Sequence, residues 1–79
     1  MIKEIRNFIQ EEPFKIMIHE NSIYVSNYKQ LKRLEENIIV LQTNHKKISI
    51  SGNNLKAAKI LENEILIKGE YKAIEVLDD

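Results

Sequence analysis

Two segments of one form constrain this chain more than anything else in it: Ile48-Ser49-Ile50-Ser51-Gly52 and Ile65-Leu66-Ile67-Lys68-Gly69. Each places isoleucines two apart and closes on glycine, and these are the only two glycines in the sequence. β-Branched residues at a spacing of two line one face of an extended strand, so both segments read as half-buried strands. A glycine at the end of such a strand marks a turn, a bulge or a close approach of backbone. Gly52 and Gly69 are expected at structural turn, bulge or close-packed positions that accept no side chain.

The remainder of the chain fits around them. Alternation predicts strands over 14–18, 23–27, 38–43, 48–51, 65–68 and 71–77, with turn-like residues at 19–22, 44–47 and 52–54. Two stretches stay open between helix and strand. In 29–36, Leu31 and Leu34 suit a helix, whereas the position between strands suits an extended chain. In 55–62, Leu55, Ala58 and Leu61 are three apart and Asn54 could cap a helix, but the flanking strand patterns favour extension. Ahead of these, Ile2, Ile5, Phe8 and Ile9 form a short amphipathic stripe that ends before Pro13. The expectation is one domain over 1–79, with 1–12 a helix or extension and 14–77 a β domain. Its class is all-β, mostly antiparallel, with six or seven short strands in a meander, roll or sandwich and a short N-terminal helix. The predicted core is Ile16, Ile18, Ile23, Val25, Ile38, Val40, Ile48, Ile50, Ile65, Ile67, Ile74 and Val76. A weak echo recurs at seventeen residues, in Ile23-x-Val25 against Val40-x-Gln42 and in the two glycine-closed segments.

Composition removes several function classes. Twelve basic and twelve acidic residues cancel, leaving no net field to recruit nucleic acid. With no cysteine there is neither a disulfide framework nor a thiolate metal site. The longest apolar run, 38–41, is far too short to span a bilayer, and the N-terminal residues carry no signal-peptide pattern. His19 and His45 fall in predicted turns without metal-ligand spacing. Glu62 and Glu64 flank a turn residue and read as solvated charges, and Ser49 and Ser51 alternate with buried isoleucines beside no base. The residues thus point to no enzyme, no cofactor and no metal, in a cytoplasmic chain.

The resemblance to a known family rests on Ile23-Tyr24-Val25-Ser26-Asn27-Tyr28-Lys29, on Leu34-Glu35, and on the run 38–43. It continues through Ile48-x-Ile50-x-Gly52-x-x-Leu55 and Glu64-Ile65-Leu66-Ile67-x-Gly69-x-x-x-x-Ile74. These resemble the YabP/YqfC family of sporulation proteins, on its YqfC-like side, across roughly residues 14–77. The chain departs from that pattern in lacking a glycine at 44–47 and in carrying Tyr71 where an aliphatic residue is usual. The resemblance implies a small non-enzymatic protein of spore-forming Bacillota. It would act in the mother-cell compartment during spore morphogenesis by protein–protein interaction or assembly, with a membrane-bound protein partner or as a homo-oligomer. The alternative from another class is a small nucleic-acid-binding β domain, which would need Tyr24, Tyr28 and Tyr71 interleaved with lysines on one strand face.

Strand parity adds one more expectation. With the predicted core facing inward, Tyr24, Ile39, Leu41, Leu66, Tyr71 and Leu77 face the other way. That second face is too apolar to be plainly solvated, so either the sheet folds over to bury both faces or the second face is a contact surface.

Overall fold

The structure is a computed structural model that describes residues 13–78. The N-terminal helix expected over 1–12 lies outside the described residues. What is described is all β: one six-stranded antiparallel sheet in the order β1-β2-β6-β5-β4-β3. The strands are β1 (Lys15–Ile18), β2 (Ser22–Ser26), β3 (Gln30–Leu34), β4 (Ile38–Gln42), β5 (Lys46–Ile60) and β6 (Glu64–Asp78). Both open stretches are therefore strand, the first as β3 and the second as the far part of β5.

The last two strands are 15 residues each, and the turns predicted at their glycines are not turns. The chain continues as strand through Gly52 and Gly69, and four expected short strands fuse into one long hairpin. That hairpin carries three register shifts: between Ser51 and Gly52, between Asn53 and Lys56, and between Ala57 and Lys59. Bulges of this kind bend and twist a ribbon. On one side of the bend β4 pairs with Lys47 to Ser51 of β5. On the other, β2 pairs with Glu64 to Lys68 of β6. The sheet thus divides into two half-sheets that share the hairpin, one made of β3, β4 and the paired segments 46–53 and 70–78, the other of β1, β2 and the paired segments 64–68 and 56–60.

The glycines explain why the ribbon can bend there. A Cβ on Gly52 would lie 2.1 Å from the Glu70 carbonyl oxygen, and one on Gly69 would lie 2.6 Å from that of Asn54. Gly69 also has φ 137°, a conformation that side chains rarely accept. The two strands cross at near contact, and only glycine leaves room. Asn54 takes a left-handed φ of 54°, which asparagine tolerates better than most residues. It delivers the Leu55 N–H to the Glu36 carbonyl at 2.8 Å, while the Gly52 N–H donates to the Asn37 carbonyl at 3.1 Å. The bend is thereby tied to the β3–β4 turn.

Bending closes one face of the sheet on itself, and the residues on that face form a single core. Ile23, Val25, Ile39, Leu41, Ile48, Ile50, Ile65 and Ile67 are all at most 1% exposed, with Tyr28 and Leu55 nearly as deep. Cross-strand register arranges most of them in four inward rows. In the β3 half-sheet these are Leu31–Leu41–Ile48–Val76 and Leu34–Ile39–Ile50–Ile74. In the β1 half-sheet they are Ile16–Val25–Ile65–Ile60 and Ile18–Ile23–Ile67–Ala57. Each row is buried in the middle and opens at its ends.

Two groups of the predicted core are corrected by this arrangement. Ile38 and Val40 do not face the core; they are half-buried on the outer face, and Ile39 and Leu41 take the inner one. Ile16, Ile18, Ile74 and Val76 do face inward but stand at row ends, so Ile16 and Ile74 are half-buried while Ile18 and Val76 are exposed. Tyr28 and Leu55 join the core from positions outside any alternation, one just after Asn27, whose φ is 64°, the other beside Gly69.

Candidate interaction surface

The residues expected to form a second apolar face do not lie together. Ile39 and Leu41 belong to the core and are corrected as contact residues, each fully buried. Tyr71 points inward opposite Gly52, packs against the core and donates its hydroxyl to the His19 carbonyl at 2.8 Å. Leu77 is exposed on the outer face of the β3 half-sheet, in the row Gln30–Gln42–Lys47–Leu77. Tyr24 and Leu66 are direct cross-strand partners on the outer face of the β1 half-sheet, in the row Met17–Tyr24–Leu66–Lys59. Both are half-buried, and the Tyr24 hydroxyl is bonded to the Glu64 carboxylate.

The large apolar side chains that do reach solvent have a common address. Among the described residues these are Met17, Ile18, Leu34, Ile60, Leu61, Val76 and Leu77, each about half exposed, and all seven lie on strands that end a half-sheet or directly follow one. Isolated exposed hydrophobes are ordinary, but their confinement to strand edges is not a random scatter. An edge strand also presents unpaired backbone donors and acceptors, so these positions combine apolar area with open hydrogen bonding. Of these seven, sequence reasoning named only Leu77 as a contact residue and missed Met17, Ile18, Leu34, Ile60, Leu61 and Val76, because alternation reports which face a residue occupies, not whether its strand has a neighbour.

Two shallow depressions accompany these edges. One, of about 460 Å³, lies between Pro13, Phe14 and Asn27 and the β4–β5 turn residues Thr43 to Lys46. The other, of about 410 Å³, opens on the outer face of the β3 half-sheet over Val40, Ser49 and Leu77, rimmed by Lys32, Arg33 and Lys47. The β4–β5 turn needs no glycine because Thr43 holds it, its hydroxyl contacting the Lys46 carbonyl at 3.1 Å and the Lys46 N–H at 2.9 Å.

The electrostatics are local and mostly solvated. Arg33 donates to Glu35 at 2.8 Å, which lowers the carboxyl's pKa and raises the guanidinium's. Lys46 pairs with Asp78 and lowers the aspartate's pKa. Burial alone raises the Tyr28 phenol above its ordinary value. His19 and His45 stand in different turns, one after β1 and one between β4 and β5. Among the described residues no group of three or more His, Cys, Asp or Glu is placed to hold a metal ion. The three tyrosines do not share a face either, since Tyr24 points outward and Tyr28 and Tyr71 pack with the core.

The fold defines a small all-β domain whose distinctive surface is a set of apolar strand edges around a bent hairpin. A family model, that of the YabP family, matches residues 10–79, and the chain belongs to that family. No curated protein and no solved structure matches it. The motif residues behind the resemblance have structural duties here. Gly52 and Gly69 form the bend. Asn27 anchors a junction, donating its backbone N–H to the Asn63 carbonyl at 2.7 Å and its side-chain amide to the Pro13 carbonyl at 3.1 Å. Among the described residues no helix is long and apolar enough to cross a membrane.

Proposed function

We propose that this chain is a non-enzymatic sporulation protein that works through protein–protein contacts during spore morphogenesis. Family membership supports the sporulation role. The carrying observation for the contact role is that, among the described residues, the exposed large apolar side chains are confined to the half-sheet edges. Edge strands recruit partners by β-augmentation, in which backbone bonds supply affinity and alternate side chains supply selectivity. A membrane-bound partner in the mother cell would place the protein at a membrane without a span of its own.

The test is genetic and works whatever the partner is. Deleting the gene in its spore-forming host should lower the yield of heat-resistant spores while vegetative growth stays unchanged. Leu34→Asp or Val76→Asp at the native locus should reproduce that loss with the protein still present at normal level. Full spore yield in the deletion strain would remove the proposal.

A further inference from the structure

The β3 half-sheet has two unlike ends, and they match each other. At one end β3 pairs only with β4, and at the other residues 73–78 of β6 pair only with β5, among the described residues. The outer row that crosses between them is Arg33–Val40–Ser49–Glu75, so it begins on a cation and finishes on an anion. The two inward rows beside it begin on Leu31 and Leu34 and finish on Val76 and Ile74. Leu34 and Val76, each about half exposed, are thus apolar ends with a same-face neighbour on one side only among the described residues.

We infer that the partner fitting these edges is a second copy of this chain, added side by side so that β6 of one copy pairs antiparallel with β3 of the next. The inference deepens the contact role proposed above and rests on it. Continuing the rows in register sets Val76 beside Leu31, Glu75 beside Arg33 and Ile74 beside Leu34 of the following copy. Apolar row ends meet apolar ones on the inner face, while on the outer face Glu75 meets Arg33 and Leu77 meets Gln30. The strand count agrees. Four antiparallel strands leave β3 and β6 running in opposite directions, so each added copy keeps the orientation of the one before. Such a contact is heterologous, so each copy leaves an edge free for the next and assembly continues past the dimer, to a filament or to a ring if the rotation closes.

Charge selects this pairing over the symmetric ones. Two β3 edges paired about a two-fold between Lys32 and Arg33 would set cation against cation, and two β6 edges paired about a two-fold between Val76 and Leu77 would set Glu75 against Asp78, which Lys46 neutralises only in part; all four are exposed. Like charges across an interface suppress a pairing, and opposite charges favour it. Arg33 already contacts Glu35, but that pair is half-exposed on both sides and readily exchanged. A formal net charge of zero removes long-range repulsion between copies.

Sedimentation velocity of the full chain over a rising concentration series tests this. The wild type should form species larger than a dimer that grow with concentration and shrink with added salt. Arg33→Glu alone and Glu75→Lys alone should each weaken association by about tenfold or more. The double variant Arg33→Glu/Glu75→Lys should regain it, because the charges then meet in reversed sense. Leu34→Asp should abolish assembly by an independent route, with the circular dichroism spectrum of all variants unchanged. A wild type that stays monomeric or stops at a dimer, or single charge variants that assemble like the wild type, overturns the inference. A monomeric wild type whose deletion still lowers spore yield leaves the proposed function standing. Assembly in a strain whose deletion has no spore phenotype does the reverse.

Discussion

At the scale of single residues, the bend makes the sharpest demands. A methyl group added at Gly52 or Gly69 meets backbone rather than a movable side-chain tip, so the strands themselves must separate. Gly52→Ala and Gly69→Ala should each destabilise by roughly 2 kcal/mol or more, the range of backbone strain and overpacking. Lys68→Ala, one position away on the exposed outer face, should change the melting temperature far less. If both alanines melt like Lys68→Ala, close crossing is not what keeps glycine there. Ile50, fully buried at the centre of its row, should cost on the order of 2–5 kcal/mol when cut to alanine. Tyr28 yields a pH prediction. Its folded pKa is raised, so the neutral phenol is favoured by folding. The associated stability is fully present below the ordinary value of about 10 and is lost as pH climbs through the raised folded value. Tyr28→Phe should flatten the alkaline limb of a melting-temperature profile, and an unchanged limb would assign the alkaline loss elsewhere.

At the scale of elements, β4 shows where the sequence was legible and where it was not. The run 38–41 is apolar on both faces, so alternation carries no parity, and a shift of one residue turns the whole strand over. The seventeen-residue echo set Val40 against Ile23, whereas the structure aligns Ile39 and Leu41 with Ile23 and Val25 at sixteen. Only the cross-strand rows decide between the two. Strands flanked by polar alternation, such as β2 and the Ile48–Ile50 and Ile65–Ile67 segments, were readable because serine and lysine mark their outer face. The glycines were readable as turn, bulge or close-approach positions, and the choice among these was not, since it depends on a partner strand crossing at the same place. The contact surface was the least legible feature, because edge position is a property of the assembled sheet. The parity of β4 has a direct check. Ile39→Asp should abolish the cooperative melt, while Val40→Thr on the outer face should leave it close to wild type. The opposite result would restore the inverted strand.

At the scale of the whole molecule, the pairing order along the chain sets a timetable for folding. β3, β4, β5 and β6 form a meander in which every strand pairs with the next in sequence. β2, by contrast, must find β6 across the entire meander, with Ser22 opposite Lys68. Contacts between distant residues carry the larger loop-closure cost and form late. The meander is then the nucleus, and the β1–β2 hairpin is the last piece to dock and the first to leave. Its departure uncovers Ile65 and Ile67 and opens a fresh strand edge on β6 while the rest of the domain stays folded. Native-state hydrogen exchange should show the β1 and β2 amides released by a sub-global opening, at lower free energy than those of β4 and β5. Equal protection across all six strands would mean instead that the domain opens only as one unit. A protein built this way has a folding clock written into its strand order, and the hairpin that arrives last governs how long the aggregation-prone surface of the half-formed sheet is on view.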